Sequence, residues 1–205
     1  MNLSLQGKRV VVTGGTRGIG RAVAETFAAE GANVALCARN ADQVAEAVAA
    51  LGALGVQSTG KAVDISDGPG LSAWINEVAQ FFGGIDVLVS NPGAMAIENT
   101  PAAWRLNFDV DIMGALHAVE AAKPHLAQAA QKHGDAAIVL ISTVSTLESD
   151  GESAYGPMKS ALVHMAKGIA RQQAKWGIRA NVVSPGTVYF KGGVWNKIEE
   201  HMPER

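Results

Sequence analysis

The sequence predicts an α/β fold, a doubly wound parallel sheet in a three-layer α/β/α arrangement. Three observations predict it. Apolar strand patterns alternate with helical patterns along the whole chain. The strand patterns are continuous apolar runs, as expected when both faces of a sheet are covered. Loop-forming and polar residues follow the strands, where such sheets collect their ligands.

The strand candidates are KRVVVT (8–13), NVALCA (33–38), VQSTGKAV (56–63), IDVLVS (85–90), AAIVLIS (136–142) and IRANVV (178–183). Helical patterns occupy 18–30, 40–54, 67–82, about 101–132 and about 154–176. Repeated strand–helix–strand units imply right-handed crossovers and a parallel sheet. At 205 residues the chain suits one domain, 1–205, without repeats or linkers. A net charge of −2 gives no electrostatic footprint for nucleic acid. No apolar run reaches membrane-spanning length. The N-terminus MNLSLQGKRVVVTGG lacks the pattern of a signal peptide, so a cytoplasmic location is expected. The single cysteine, Cys37, lies in an apolar strand pattern and reads as a buried, inert thiol. His117, His125, His133, His164 and His201 show no metal-ligand spacing, so no metal is expected.

The first strand runs into TGGTRGIGRAVAETFAAEGA, with Gly14, Gly18 and Gly20 where strand becomes helix. Glycine permits a tight turn and a close backbone approach. The helix N-terminus then offers free N–H groups and a positive dipole end to a pyrophosphate. At the end of the second strand, where an acid would bind a ribose 2′-hydroxyl, stand Ala38 and Arg39. Arg39 and Arg17 together suit a 2′-phosphate, which guanidinium recognises well. Asp64 ends the third strand, where an adenine amino group is read. Asn91, Pro92 and Gly93 make a turn after the fourth. The fifth ends in Ser142, Thr143 and Ser145, and Pro185 and Gly186 turn the chain after the sixth.

AYGPMKS (154–160) puts Tyr155 and Lys159 four residues apart, on one face of a helix entrance. Pro157 is tolerated in a first turn because its missing N–H has no intrahelical partner there. An ammonium beside a phenol favours the phenolate and lowers the tyrosine pKa, giving a proton donor and acceptor.

In this order, TGGTRGIG, Asp64, SNPG, the hydroxyl-bearing end of strand five, YGPMK and SPGTV resemble the classical short-chain dehydrogenase/reductase family, from about residue 5 to 190. The resemblance implies a Rossmann-type fold, a homo-oligomer, and hydride transfer between NADP(H) and a small carbonyl or alcohol. NAD(H) is the other cofactor it admits. Tyr155 would be the acid or base, and Lys159 would assist it and bind the nicotinamide ribose. A hydroxyl after strand five would hold the substrate oxygen. Counting back from Tyr155 gives Ser142, and strand register gives Thr143. The likeness also carries Thr16, Ile19, Ile65, Asn91, Gly93, Pro185, Gly186 and Val188 into the cofactor site, beside Gly14, Arg17, Gly18, Gly20, Arg39 and Asp64. Asp111 stands in FDVDIMGALH where the family carries asparagine, in a relay to the lysine. By this resemblance the family's last strand is expected to be missing from this chain, and residues 187–205 resemble the start of a substrate-covering segment. Met95, Tyr189, Phe190 and Trp195 are candidates to line an apolar substrate pocket. The alternative function is a non-catalytic dinucleotide-binding sensor or scaffold on the same fold. Such a binder would need Lys159 for the ribose but not Tyr155.

Overall fold

A computed structural model describes residues 3–149, 151–193, 196 and 199. Six parallel strands form one sheet in the order β3-β2-β1-β4-β5-β6. They are β1 (Arg9–Thr13), β2 (Asn33–Ala38), β3 (Ser58–Ala62), β4 (Val87–Ser90), β5 (Ala136–Ile141) and β6 (Ile178–Val183). The order reverses between β1 and β4, and the crevice above that pair is where such sheets bind ligands.

Strand side chains alternate between two cores. Val10, Val12, Val34 and Leu36 pack with Ala24 and Ala28 of α1 (Gly18–Ala29) and with Val44, Ala47 and Leu51 of α2 (Ala41–Gly52). Val11, Ala35, Cys37, Leu88 and Ile138 face the opposite layer. That layer holds α3 (Gly68–Phe82), α5 (Gly114–His133) and α6 (Tyr155–Gln173), through Leu71, Trp74 and Ile75, Ala118 and Leu126, and Leu162 and Ala166. Burying each large apolar side chain stabilises the fold by about 1.5–3 kcal/mol. Burial pushes the Cys37 thiol up to about 12, so it stays protonated and inert.

The helix expected over 101–132 is three pieces. Thr100 caps α4 (Pro101–Asn107) by accepting from Ala103 N–H. A π-helical segment, Phe108–Met113, follows, and α5 continues from Gly114. The wider π turn inserts a residue into the helical register, and it carries Asp111, which is 1% exposed. The strands expected at 56–63 and 85–90 are shorter, at Ser58–Ala62 and Val87–Ser90. Among the described residues no helix is long and apolar enough to cross a membrane.

Candidate active site

The glycine turn sits above the switch point. Gly14 (φ +68°) and Gly18 (φ +53°) adopt backbone that side chains disfavour. At Gly20 a Cβ would lie 2.1 Å from the Gly14 carbonyl oxygen, so only glycine lets α1 start this close to β1. Asn91 Nδ2 donates to that same carbonyl at 2.9 Å, joining the β4 turn to the β1 turn. No side chain caps α1, and its first turn holds no acid. Uncapped N–H groups at a helix start are a donor set for an anion. The residues present therefore fit a dinucleotide pyrophosphate.

The glycine turn meets the end of β2, where the Gly14 and Gly15 N–H groups donate to the Cys37 carbonyl at 2.9 and 3.1 Å. The Thr16 hydroxyl donates to Gln43 Oε1 at 3.4 Å, tying the glycine turn to α2, which Asn40 caps by accepting from Gln43 N–H at 2.9 Å. Sequence reasoning missed Gln43. Its only signal was a polar residue in the first turn of the second helix. Arg17 and Arg39 are exposed, and Ala38 leaves the strand end without a carboxylate. Asp64 accepts from the hydroxyl and N–H of Ser66, at 2.7 and 3.0 Å. Those bonds, helped by the Arg39 charge, hold its carboxyl below the usual range. Ile65 is buried beneath it, in contact with the position of Gly114.

Four elements meet at Lys159. Tyr155 opens α6, its N–H donating to Ser153 Oγ at 3.2 Å, and Pro157 falls in the first turn as expected. Lys159 Nζ donates to the Pro92 carbonyl at 3.0 Å and the Ile141 carbonyl at 3.1 Å. It also lies 3.4 Å from Asp111 Oδ1, with both side chains almost wholly buried. Gly93 borders this group, and a Cβ there would sit 3.5 Å from both Lys159 Nζ and Asp111 Oδ1. Asn107, fully buried one helical turn before Asp111, was not singled out from the sequence. It accepts from Ala96 N–H at 3.3 Å and donates to the Ala96 carbonyl at 2.7 Å, fixing the loop after β4.

The two hydroxyl candidates separate. Ser142 Oγ donates to the Lys159 carbonyl at 2.9 Å, so it faces the backbone of α6. The Thr143 side chain lies close enough to Tyr155 to oppose the rise in its pKa. It also meets Ser145, whose N–H and hydroxyl lie 3.3 Å away. The structure brings Thr143, not Ser142, to the phenol.

The charge effect differs from the sequence expectation. Tyr155 is held above its ordinary pKa, by burial first and by the Asp111 carboxylate second, against the opposing effect of Thr143. Lys159 Nζ donates to two backbone carbonyls, is ion-paired with Asp111, and stands 6.0 Å from the Tyr155 ring centre. Burial likewise moves Lys159 down and Asp111 up, toward their neutral forms, while their mutual attraction opposes both shifts.

Pro185 places the last loop by accepting from Val144 N–H at 3.0 Å, and Gly186 follows exposed. Val188, Tyr189 and Phe190 close a cavity of about 620 Å³ against Ile19, Val23 and Phe27 of α1. The Phe190 ring rests on Gly18, where a Cβ would stand 2.8 Å from it. Met95, with φ +56°, is exposed on the loop after β4. Trp195 and His201 lie outside the described residues. Of the other histidines, His117, His125 and His133 lie on α5 and His164 on α6.

Comparisons with known proteins agree with this arrangement. The family model for short chain dehydrogenases matches residues 8–201. Isoepoxydon dehydrogenase patN of Aspergillus clavatus is 33% identical over 98% of this chain and 78% of its own length. The structure of L-sorbose reductase from Gluconobacter frateurii, complexed with NADPH and L-sorbose, superposes with a TM-score of 0.85 at 29% identity. That match covers 98% of this chain and 82% of the reductase. An NADH-dependent reductase, A1-R′, complexed with NAD gives a TM-score of 0.85 at 28% identity, over 91% of this chain and 81% of its own. The matched stretch spans most of this chain and of each relative, and the chain belongs to the short chain dehydrogenase family, a family of nicotinamide-dependent oxidoreductases.

Proposed function

We propose that this chain transfers hydride between NADP(H) and a small carbonyl or alcohol, with Tyr155 as the proton donor or acceptor. One observation carries the reading. A half-buried phenol, beside the Thr143 side chain, stands one helical turn from a buried lysine on the rim that also bears the glycine turn. When bound, the nicotinamide supplies or takes up the hydride.

The glycine turn and the first turn of α1 hold the pyrophosphate through backbone N–H groups. Arg17 and Arg39 take the 2′-phosphate, and Asp64 accepts from the adenine amino group. Asn91, Gly93 and the Pro185–Val188 segment shape the nicotinamide end, and Lys159 serves its ribose. Thr143 and Tyr155 both reach the substrate oxygen. In reduction Tyr155 gives that oxygen a proton as the carbonyl carbon gains hydride, and in oxidation it takes one away.

Exposed arginines at the β2 end, with no carboxylate there, support NADP(H) over NAD(H). The structural relatives include one complexed with NADPH and one with NAD, so the preference rests on these local residues. The test is a panel of carbonyls and alcohols with each cofactor, followed by nicotinamide absorbance. Cofactor-dependent turnover of a panel member is expected. Tight dinucleotide binding with no turnover across the panel would favour a binding module instead.

A further inference from the structure

The buried carboxylate of Asp111 changes what the neighbouring lysine can do. Lys159 Nζ donates to the Pro92 carbonyl at 3.0 Å and the Ile141 carbonyl at 3.1 Å, and is ion-paired with Asp111 Oδ1 at 3.4 Å. Asp111 Oδ1 also accepts from Ala94 N–H at 3.2 Å, while Oδ2 has no hydrogen-bond partner. The Asp111 side chain is 0% exposed and that of Lys159 is 3% exposed. Water therefore does little to screen either group.

Two proton placements satisfy this geometry. An ammonium donates to the two carbonyls and pairs with an ionised Asp111. An amine can donate to the two carbonyls and turn its lone pair to a protonated Asp111. Burial favours the second and mutual attraction the first. Either way the pair carries no net charge. A neutral side chain at 111 beside a protonated Lys159 would instead leave a positive charge next to Tyr155, which favours the phenolate.

Other charged groups on the surrounding elements are turned to solvent. Arg105 on α4, Asp109 on the π segment, Glu148 and Glu152 before α6, His164, Lys167 and Arg171 on α6, and Arg179 on β6 are all exposed. His117 on α5 is turned to Gly68 of α3.

We propose that Asp111 is a positioning residue that neutralises Lys159, so that Tyr155 rests as a phenol and the chain works near neutral pH as a reductase of carbonyl compounds. The proposal rests on the hydride-transfer reading and adds its direction. In reduction, hydride from the reduced nicotinamide forms a C–H bond at the carbonyl carbon. The π pair moves to oxygen, and that oxygen takes the proton of Tyr155 Oη. The phenolate left behind recovers a proton from solvent, and the nicotinamide leaves oxidised. The reverse reaction needs the phenolate in place before the alcohol reacts. A resting phenol therefore confines alcohol oxidation to alkaline pH.

The chain has two tyrosines, so Tyr189→Phe leaves Tyr155 as its only phenol. The near-ultraviolet phenolate band is titrated in cofactor-free Tyr189→Phe protein, and again with Asp111→Asn or Asp111→Ser added. The midpoint is expected above the ordinary tyrosine value of about 10 with Asp111 present, and lower in both charge-free variants. A parallel displacement of the alcohol-oxidation pH profile toward neutral pH is expected in Asp111→Asn. A midpoint at or below about 10 in the Tyr189→Phe protein overturns the proposal by itself, whether or not the other variants fold. An unchanged midpoint in the charge-free variants also overturns it. The titration needs no turnover, so its failure is distinct from failure of the hydride-transfer reading, which Tyr155→Phe decides.

Discussion

The Ser142 hydroxyl donates to the Lys159 backbone carbonyl at 2.9 Å, which turns it away from the phenol that its neighbour Thr143 contacts. Adjacent residues at a strand end point to opposite sides, so only one of them can serve the substrate. Thr143→Ala should lower kcat by about 10²-fold or more, the scale of losing a donor aimed at a reacting oxygen. Thr143→Ser should keep most of the rate. Ser142→Ala should leave kcat nearly unchanged and cost about 1 kcal/mol of stability, read by denaturant unfolding. A larger kinetic loss in Ser142→Ala than in Thr143→Ala would reverse the assignment.

Cofactor choice turns on Arg39, which feels the Asp64 charge at the adjacent strand end. A charge-assisted contact is worth about 1.5–3 kcal/mol, reduced by exposure and salt. NADPH should bind about tenfold tighter than NADH at low salt, with the gap closing as salt rises. Arg39→Ala should weaken NADPH binding and barely change NADH binding. Equal dissociation constants for the two at low salt would return both arginines to ordinary surface charges.

Acid stability should depend on Arg9 and Asp86, which join β1 to the start of β4. Arg9 donates to both Asp86 carboxylate oxygens, at 2.7 and 2.9 Å, and its backbone N–H adds a third bond at 2.8 Å. Burial alone would raise the Asp86 pKa, but the Arg9 bonds outweigh it and hold the carboxyl low. A depressed folded-state value means the stabilisation is complete above the unfolded value of about 3.9. It is lost as pH falls through the folded value. Arg9→Leu should cost about 3–5 kcal/mol at neutral pH, because it strands a buried carboxylate. It should also flatten the acid limb of the stability curve. An acid limb unchanged in Arg9→Leu would show that another group governs acid unfolding.

The four central strands were legible because they are apolar on both faces and turn residues bound them. The edge strand β3 was overextended to 56–63, since hydropathy does not show where ladder pairing with β2 stops. The π segment was not legible. Helical periodicity over 101–132 does not reveal one extra residue in a turn, and that turn carries Asp111 to Lys159. The Tyr155–Lys159 spacing gave the right face but the wrong electrostatic sign. Sequence spacing does not say that the Pro92 and Ile141 carbonyls and Asp111 occupy the ammonium. Which candidate hydroxyl faces α6 was half legible. Leu140 packs in the α6-side core, and the same alternation carries Ser142 to α6 and releases Thr143. Tyr189 and Phe190 were assigned to a substrate pocket from their apolar character alone. The chain after Pro185 instead lays them along α1.

Under the proposed function Tyr155 moves the proton while other residues hold the cofactor. Its most direct test is Tyr155→Phe, assayed for turnover of an established carbonyl substrate and, separately, for NADPH affinity by fluorescence titration. The account predicts that kcat falls by about 10²–10⁴-fold while the NADPH dissociation constant stays within about twofold, since a lost contact worth a tenfold change would require about 1.4 kcal/mol. Normal turnover by Tyr155→Phe, with cofactor affinity intact, would contradict it.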